Sequence, residues 1–556
     1  MNTENLKIRQ IITLAYENHR KSNLKLAESL YNKILKIDPN HTDAIFLLGT
    51  LLLQKKKFQN AIELFHKVLA INPNHVNAIH NLGFASIEIG KPKEAKELLK
   101  KAIQMQPKHL DAHYNLGNVY KHLGEFQEAE ESYQKAIQVR PQDPKIYNNL
   151  GNVLKELGKF NEAISSYNKA IKIQYNHANA YHNLANTYKQ LGEFEKAESF
   201  YQKAFQYQPA NLETLLSLTE LNKEILDEKL KKLINKILKN KNVSKKNMAY
   251  GHFLLAKYAL KEKDLEKEFN YLLKGHSEYF EFKKKPYDRG VSYWLNEIPE
   301  NKELMNLGKS SNSINKENNK IKPIFIVGVP RCGSTLIEKI IASGNQKISI
   351  GEETAIISFC VGEKFASKES FNLNIENLRK KIIHKYEQKG LINKKNDHIF
   401  TDKSLDNFFF IGLIKEIFPN AKIINCRRNF LSSIMSIMKN NLGDVTWAHK
   451  LEHIFKFFDI YEKKIQSFKK IYPNFIYELQ FENFVRSPEI ESKKLMKFCQ
   501  LPWSKKCLEF HKRKDLTSRT ASNIQIRKAI FQDSAVKYLP YKQFLVKYGS
   551  KYNWFN

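Results

Sequence analysis

The sequence predicts two architectures in one chain: stacked helix pairs through residue 211, and strand–loop–helix units of α/β type from residue 322 to the end. Three observations carry this. Small residues and prolines recur every 34 positions in the first half. A polar stretch, NLGKSSNSINKENNK at 306–320, then interrupts the apolar pattern. Immediately after it, PIFIV, GVPRCGST and LIEKIIASG read as a β-branched strand, a glycine loop and a helix.

The repeat is set by columns that agree in phase. Gly49, Gly83, Gly117 and Gly151 are each 34 residues apart, and Ala185 continues the series. Ala27, Ala61, Ala95, Ala129, Ala163 and Ala197 keep the same step, as do Gly90, Gly124, Gly158 and Gly192. Pro39, Pro73, Pro107 and Pro141 do so too, with Pro209 resuming after Tyr175. A small residue lets two antiparallel helices approach, the second glycine marks the turn, and proline ends the second helix. These columns resemble the tetratricopeptide repeat family. The resemblance implies about six repeats over 1–211, stacked into a right-handed α-solenoid whose concave groove usually binds protein.

A fifth column, Asn81, Asn115, Asn149 and Asn183, occupies a position that faces the groove in that family. A carboxamide offers two donors and an acceptor, so these residues are candidate partner-binding positions for the main chain of an extended polypeptide. Repeat consensus alone would also produce them, and the array could instead space or dimerise the chain. Residues 212–300 remain helical in pattern, as in FLLAKYALKEKDLEKEFNYLLKG, and read as a degenerate pair capping the array. Residues 301–321 read as a linker.

Composition bounds the function. With 556 residues and 42% hydrophobic content, the chain has apolar material for more than one core. The net charge of +33 is spread as lysine along an Asn/Ile/Lys-rich chain without a basic block interleaved with aromatics, so no nucleic-acid partner is expected. The N-terminus lacks the apolar core of a signal peptide, and no stretch reaches the roughly 18 apolar residues of a spanning helix. A cytoplasmic protein is the expectation. The five cysteines are odd in number and show no CxxC spacing, which argues against a disulfide framework or zinc site. His449 and His453 have no companions to complete a metal centre, so none is expected.

The chemistry is concentrated in the second half. Gly328 and Gly333 bracket four residues, so main-chain N–H groups and a helix N-terminus can converge on an anion. Ser334 stands where a nucleoside triphosphatase carries lysine, which weakens a kinase-like reading, while Arg331 places a fixed charge elsewhere. GEET at 351–354 supplies Glu352 and Glu353, TDKS at 401–404 supplies Lys403, and AKIINCRRN ends a buried strand in arginines. Ser436 follows Arg428 by eight residues, so a strand-end arginine and a helix serine can grip one phosphate.

Together, GVPRCGSTL, GEET, DKS, the CRRN strand end with its serine, and TASNIQIRKAI resemble the P-loop sulfotransferases. More narrowly they resemble bacterial proteins that fuse tetratricopeptide repeats to a tyrosylprotein-sulfotransferase-like domain. The resemblance implies an α/β domain with a mainly parallel central sheet over 322–556. It implies 3′-phosphoadenosine 5′-phosphosulfate as sulfuryl donor and no metal. Carried over by residue, Pro330, Arg331, Cys332, Gly333, Ser334 and Thr335 bind the 5′-phosphosulfate, and Arg428 with Ser436 the 3′-phosphate. Glu353 is the catalytic base, with Glu352 the alternative because the spacing from Arg331 is about one residue longer here. Arg331 and Lys403 stabilise developing charge. Ser522, Gln525, Arg527 and Lys528 close over the donor.

The leading expectation is therefore a sulfotransferase whose groove presents a polypeptide, with tyrosine as the acceptor. Two alternatives stay open: a glycan or lipid acceptor with the repeats docking a partner, and a repeat scaffold that binds a nucleotide without catalysis.

Overall fold

The computed structural model describes residues 3–301, 304, 321–346, 348–366, 374–392, 398–513, 527, 530 and 535–555. It divides into two compact units, Met1–Thr187 with Ser199–Gln208, and Tyr188–Glu198 with Pro209–Asn556.

The first unit is built from antiparallel helix pairs that follow the 34-residue period. Thr42–Gln54 pairs with Phe58–Ile71, Val76–Glu88 with Pro92–Met105, Leu110–Leu123 with Phe126–Val139, and Pro144–Glu156 with Phe160–Ile173. The columns have physical roles. A Cβ at Gly151 would lie 2.6 Å from the Tyr167 ring, so only glycine admits the tyrosine between the two helices. The alanine column is buried throughout. A further column caps the first helix of each pair: the imidazoles of His41, His75, His109 and His177 accept the N–H of Ala44, Ala78, Ala112 and Ala180. Asp143 performs the same task toward Lys145.

The second unit contains a five-stranded sheet ordered β2-β3-β1-β4-β5, with every pairing parallel. The strands are β1 (Ile321–Gly328), β2 (Ser349–Ile350), β3 (His398–Asp402), β4 (Lys422–Arg427) and β5 (Ile476–Gln480). A parallel sheet buries both faces, and β1 and β4 are accordingly buried along almost their whole length. In such sheets ligands gather beyond the carboxyl ends of the strands, where the chain order reverses, here around β1 between β3 and β4.

The helices between 212 and 300, expected from the sequence to cap the array, bond to the α/β domain. The His276 ring reaches the Met438 carbonyl at 2.8 Å, and the Tyr287 hydroxyl donates to the Gly443 carbonyl at 2.6 Å. Lys439 pairs with buried Glu268 at 2.8 Å, and Glu268 also accepts from the Tyr541 hydroxyl. Trp447 stacks on Phe457 at 3.7 Å, and FKFFDIY lies within a core helix, Leu451–Ile471. No described helix is long and apolar enough to cross a membrane.

Candidate active site

Strand β1 runs directly into the glycine loop. Gly328 is required at the exit because a Cβ there would lie 2.7 Å from the Cys426 carbonyl and 2.9 Å from the Cys332 sulfur. Arg331 takes a left-handed backbone, φ 71°. The helix Ser334–Ala342 begins at once, so its first N–H groups face the loop. Cys332 and Cys426 are buried, free thiols packed beside the loop.

The arginines assemble around this loop. Arg331 Nε donates to the Ser436 hydroxyl at 2.9 Å, and Arg428 donates to the Arg331 carbonyl at 3.1 Å. Ser436 is buried on the helix Phe430–Met438, whose N-terminus is capped by Asn429 through the Ser432 N–H. Arg428 also lies over the Phe481 ring. Burial and the neighbouring Arg428 cation lower the pKa of Arg331, the electrostatic condition that an incoming anion relieves.

Across β1, GEET and DKS are laced together. Gly351 N–H donates to the Thr401 carbonyl at 2.9 Å, and Lys403 N–H to the Glu352 carbonyl at 2.6 Å. Asp402, fully buried, accepts from Thr354, Tyr386, Asn407 and the Ser404 N–H. Lys403 Nζ meets Glu353 Oε1 at 2.9 Å; the lysine is 0% exposed and the glutamate side chain 57%. Burial lowers the pKa of Lys403, but Glu353, Glu338 and Glu352 outweigh it and hold the ammonium above its ordinary value. Glu352 pairs with buried Lys339 at 3.2 Å.

The structure thus gathers Arg331, Arg428 and Ser436 in one cluster, and Glu353 and Lys403 in another. Both lie at the carboxyl end of the same sheet, following β1, β2, β3 and β4. Arg527 donates to the carbonyls of Arg513 and Leu191, and Arg513 in turn to Ala342 at the end of the loop helix. Ser522, Gln525 and Lys528 lie outside the described residues. Among the described residues no group of three or more His, Cys, Asp or Glu side chains is placed to hold a metal ion.

The asparagine column in the first unit is half-buried and stitches repeats together. Asn81 donates to the Thr50 hydroxyl, Asn115 to His80 Nε2, Asn149 to Tyr114 and Asn118, and Asn183 to Asn148. His80 in turn donates from Nδ1 to Asn81 Oδ1, the tautomer that the Asn115 contact demands.

Sequence reasoning missed Glu338, Lys339 and Asp402. Two adjacent charges inside the apolar run LIEKIIA were the available signal for the first two, since unpaired charges are not buried.

Residues 323–505 match the family described as the Sulfotransferase family, and residues 15–245 match that of the Cilia and flagella-associated protein 70 C-terminal domain. A protein of Aquifex aeolicus (strain VF5), described as uncharacterized, is 27% identical over 340 residues, 57% of this chain and 43% of that protein. The chain therefore spans less than half of that relative's length. Among solved structures, pilF of Pseudomonas aeruginosa aligns at 20% identity over 39% of this chain and 100% of its own, with TM-score 0.36. YrrB, a TPR protein, aligns at 24% identity over 34% of this chain and 96% of its own, with TM-score 0.30. The chain joins a tetratricopeptide-type helical array to a C-terminal domain of the sulfotransferase family.

Proposed function

We propose that the C-terminal domain moves the sulfuryl group of 3′-phosphoadenosine 5′-phosphosulfate to an acceptor hydroxyl, a tyrosine side chain of a polypeptide bound by the repeat groove. The observation that carries this reading is the placement of Arg331, Arg428, Lys403 and an exposed Glu353 beyond one end of a parallel sheet, beside a glycine loop and a helix N-terminus. The donor's chemistry fits these residues: its phosphate and phosphosulfate groups are anionic, and the loop offers N–H groups and two guanidiniums without a Walker lysine.

Residues Pro330–Thr335 cradle the 5′-phosphosulfate, and Arg428 with Ser436 holds the 3′-phosphate. Ser522, Gln525, Arg527 and Lys528 add contacts to the donor. Glu353 takes the proton of the acceptor hydroxyl as its oxygen forms a bond to sulfur and the bond from sulfur to the bridging oxygen breaks. Lys403 and Arg331 neutralise the charge that collects on the bridging oxygen. A phenol suits this base because its ordinary pKa is about 10, well below that of a sugar hydroxyl. Asn81, Asn115, Asn149 and Asn183 each retain hydrogen-bonding capacity beyond their contacts within the array, which suits the main chain of an extended peptide. Tethering the acceptor raises its local concentration, so the site need read little beyond the hydroxyl.

The test is transfer of labelled sulfate from the donor to tyrosine peptides, glycans and lipids by the purified chain. Labelled peptide, lost with Glu353→Gln, supports the reading. Label in glycan or lipid keeps the chemistry and makes the array a docking surface. Tight binding of the desulfated nucleotide without transfer to any acceptor supports a scaffold instead.

A further inference from the structure

Neighbouring side chains on a helix point about 100° apart, so two adjacent charges in one buried turn must find separate partners. Glu338 is 0% and Lys339 1% exposed, on the helix that starts at the anion loop. Burying either charge is unfavourable unless it is paired and hydrogen-bonded. Glu338 Oε1 accepts the Thr401 hydroxyl at 2.8 Å and the Glu352 N–H at 3.1 Å. Lys339 takes the Glu352 carboxylate at 3.2 Å. The two side chains therefore grip the same residue, one by its backbone and one by its side chain.

Glu352 needs that grip because its backbone is left-handed, φ 47°, a conformation a glutamate does not hold unaided. The consequence falls on its neighbours. The Glu352 carbonyl accepts the Lys403 N–H at 2.6 Å, and Thr401, the other partner of Glu338, is two residues before Lys403 in the chain. Fixing Glu352 thus fixes both sides of the contact between Glu353 and Lys403.

We infer that Glu338 and Lys339 are positioning residues that withdraw Glu352 from the chemistry and hold Glu353 against Lys403, making Glu353 the base of the pair. The inference rests on the sulfotransferase reading and assigns roles within it. It gives Glu338 its task as a hydrogen-bond acceptor at Oε1, toward the Thr401 hydroxyl and the Glu352 N–H.

The experiment compares the full-length wild type with Glu338→Leu, Glu338→Gln, Glu352→Gln and Glu353→Gln. Each is measured for kcat and acceptor KM in sulfate transfer, for affinity toward 3′-phosphoadenosine 5′-phosphate, and for thermal midpoint. Glu338→Leu is expected to lower kcat about 100-fold, with nucleotide affinity and acceptor KM held, since misplacing a reacting group costs that much without weakening binding. Glu338→Gln, which keeps the acceptor oxygen, is expected to recover kcat to within about tenfold of wild type. Glu353→Gln is expected to abolish turnover, and Glu352→Gln to lower it far less.

Unchanged kcat in a natively melting Glu338→Leu overturns the assignment, as does a parallel loss of nucleotide affinity and kcat, which would make Glu338 a support of the loop alone. If Glu338→Leu does not fold, the comparison of Glu352→Gln with Glu353→Gln decides, and equal losses overturn it. No transfer to any acceptor by the wild type fails the functional reading itself, an outcome distinct from wild-type transfer that Glu338→Leu leaves intact.

Discussion

The ammonium of Lys403 lies 2.9 Å from Glu353 Oε1, with the lysine fully buried and the glutamate side chain more than half exposed. A buried cation paired to an exposed carboxylate at a sheet's carboxyl end is arranged for use, because replacing both by apolar residues would cost the fold little. Lys403→Met should lower kcat by about 100- to 1000-fold, the scale of losing one preorganised charge-stabilising donor. Its melting temperature should fall as well, because buried Glu338 loses the cation that faces it. Steady-state kinetics beside calorimetric melting checks both, and a large loss of stability with unchanged kcat would make the pair structural.

The bond from Arg331 to Ser436 ties the loop to the helix Phe430–Met438, whose serine is the one proposed to hold the 3′-phosphate. Ser436→Ala removes one hydroxyl from a charge-assisted bond, and titration calorimetry should show the desulfated nucleotide bound about 10-fold more weakly. Arg428→Lys should weaken it more, since lysine cannot reproduce the fork and its stacking on Phe481.

Stability of the second unit should fall in mild acid. His276 and His449 contact each other at 3.0 Å, and burial is the main cause that lowers both, His276 to about 4 from an ordinary 6.5. A folded value below the unfolded one means that the unfolded chain binds more protons once the pH drops below 6.5. The stability held by neutral His276 is therefore complete above that pH and is lost progressively toward pH 4. Urea unfolding should show a loss of about 2 kcal/mol from this group between pH 6.5 and pH 5. His276→Phe should flatten that slope.

Much of this was readable in the chain because it is local. The repeat glycines and alanines report close approach of helices that are neighbours in sequence, so their period exposes them. The glycine loop after β1 is likewise one continuous segment. Other contacts join distant segments and carry no periodic or motif signal. His276 and His449 are 173 residues apart, and the linkage from Arg331 to Ser436 spans 105. Glu338 was hidden differently: its charge stands out in an apolar run, but of its partners one is the distant Thr401 hydroxyl and the other a backbone N–H, which leaves no mark in the sequence. In the repeats, the hydroxyls of Tyr133, Tyr167 and Tyr201 donate to Asn118, Asn152 and Asn186, in step with the period and legible there, yet masked by the more prominent glycines.

The glycine column makes its own prediction. Gly151→Ala places a methyl group 2.6 Å from the Tyr167 ring, so the first unit should lose about 1–3 kcal/mol, seen as a lower midpoint in chemical unfolding. Gly158→Ala is a control at a different kind of position: its added Cβ meets nothing within 4 Å, and its cost should come from the left-handed backbone alone.

The most direct test of the account compares the wild type with Glu353→Gln in two assays on the same preparations. These are the initial rate of labelled-sulfate transfer to a tyrosine peptide and the affinity for 3′-phosphoadenosine 5′-phosphate. Transfer by the wild type, its loss in Glu353→Gln, and equal nucleotide affinity in both are the expected result. Transfer undiminished in Glu353→Gln would contradict it.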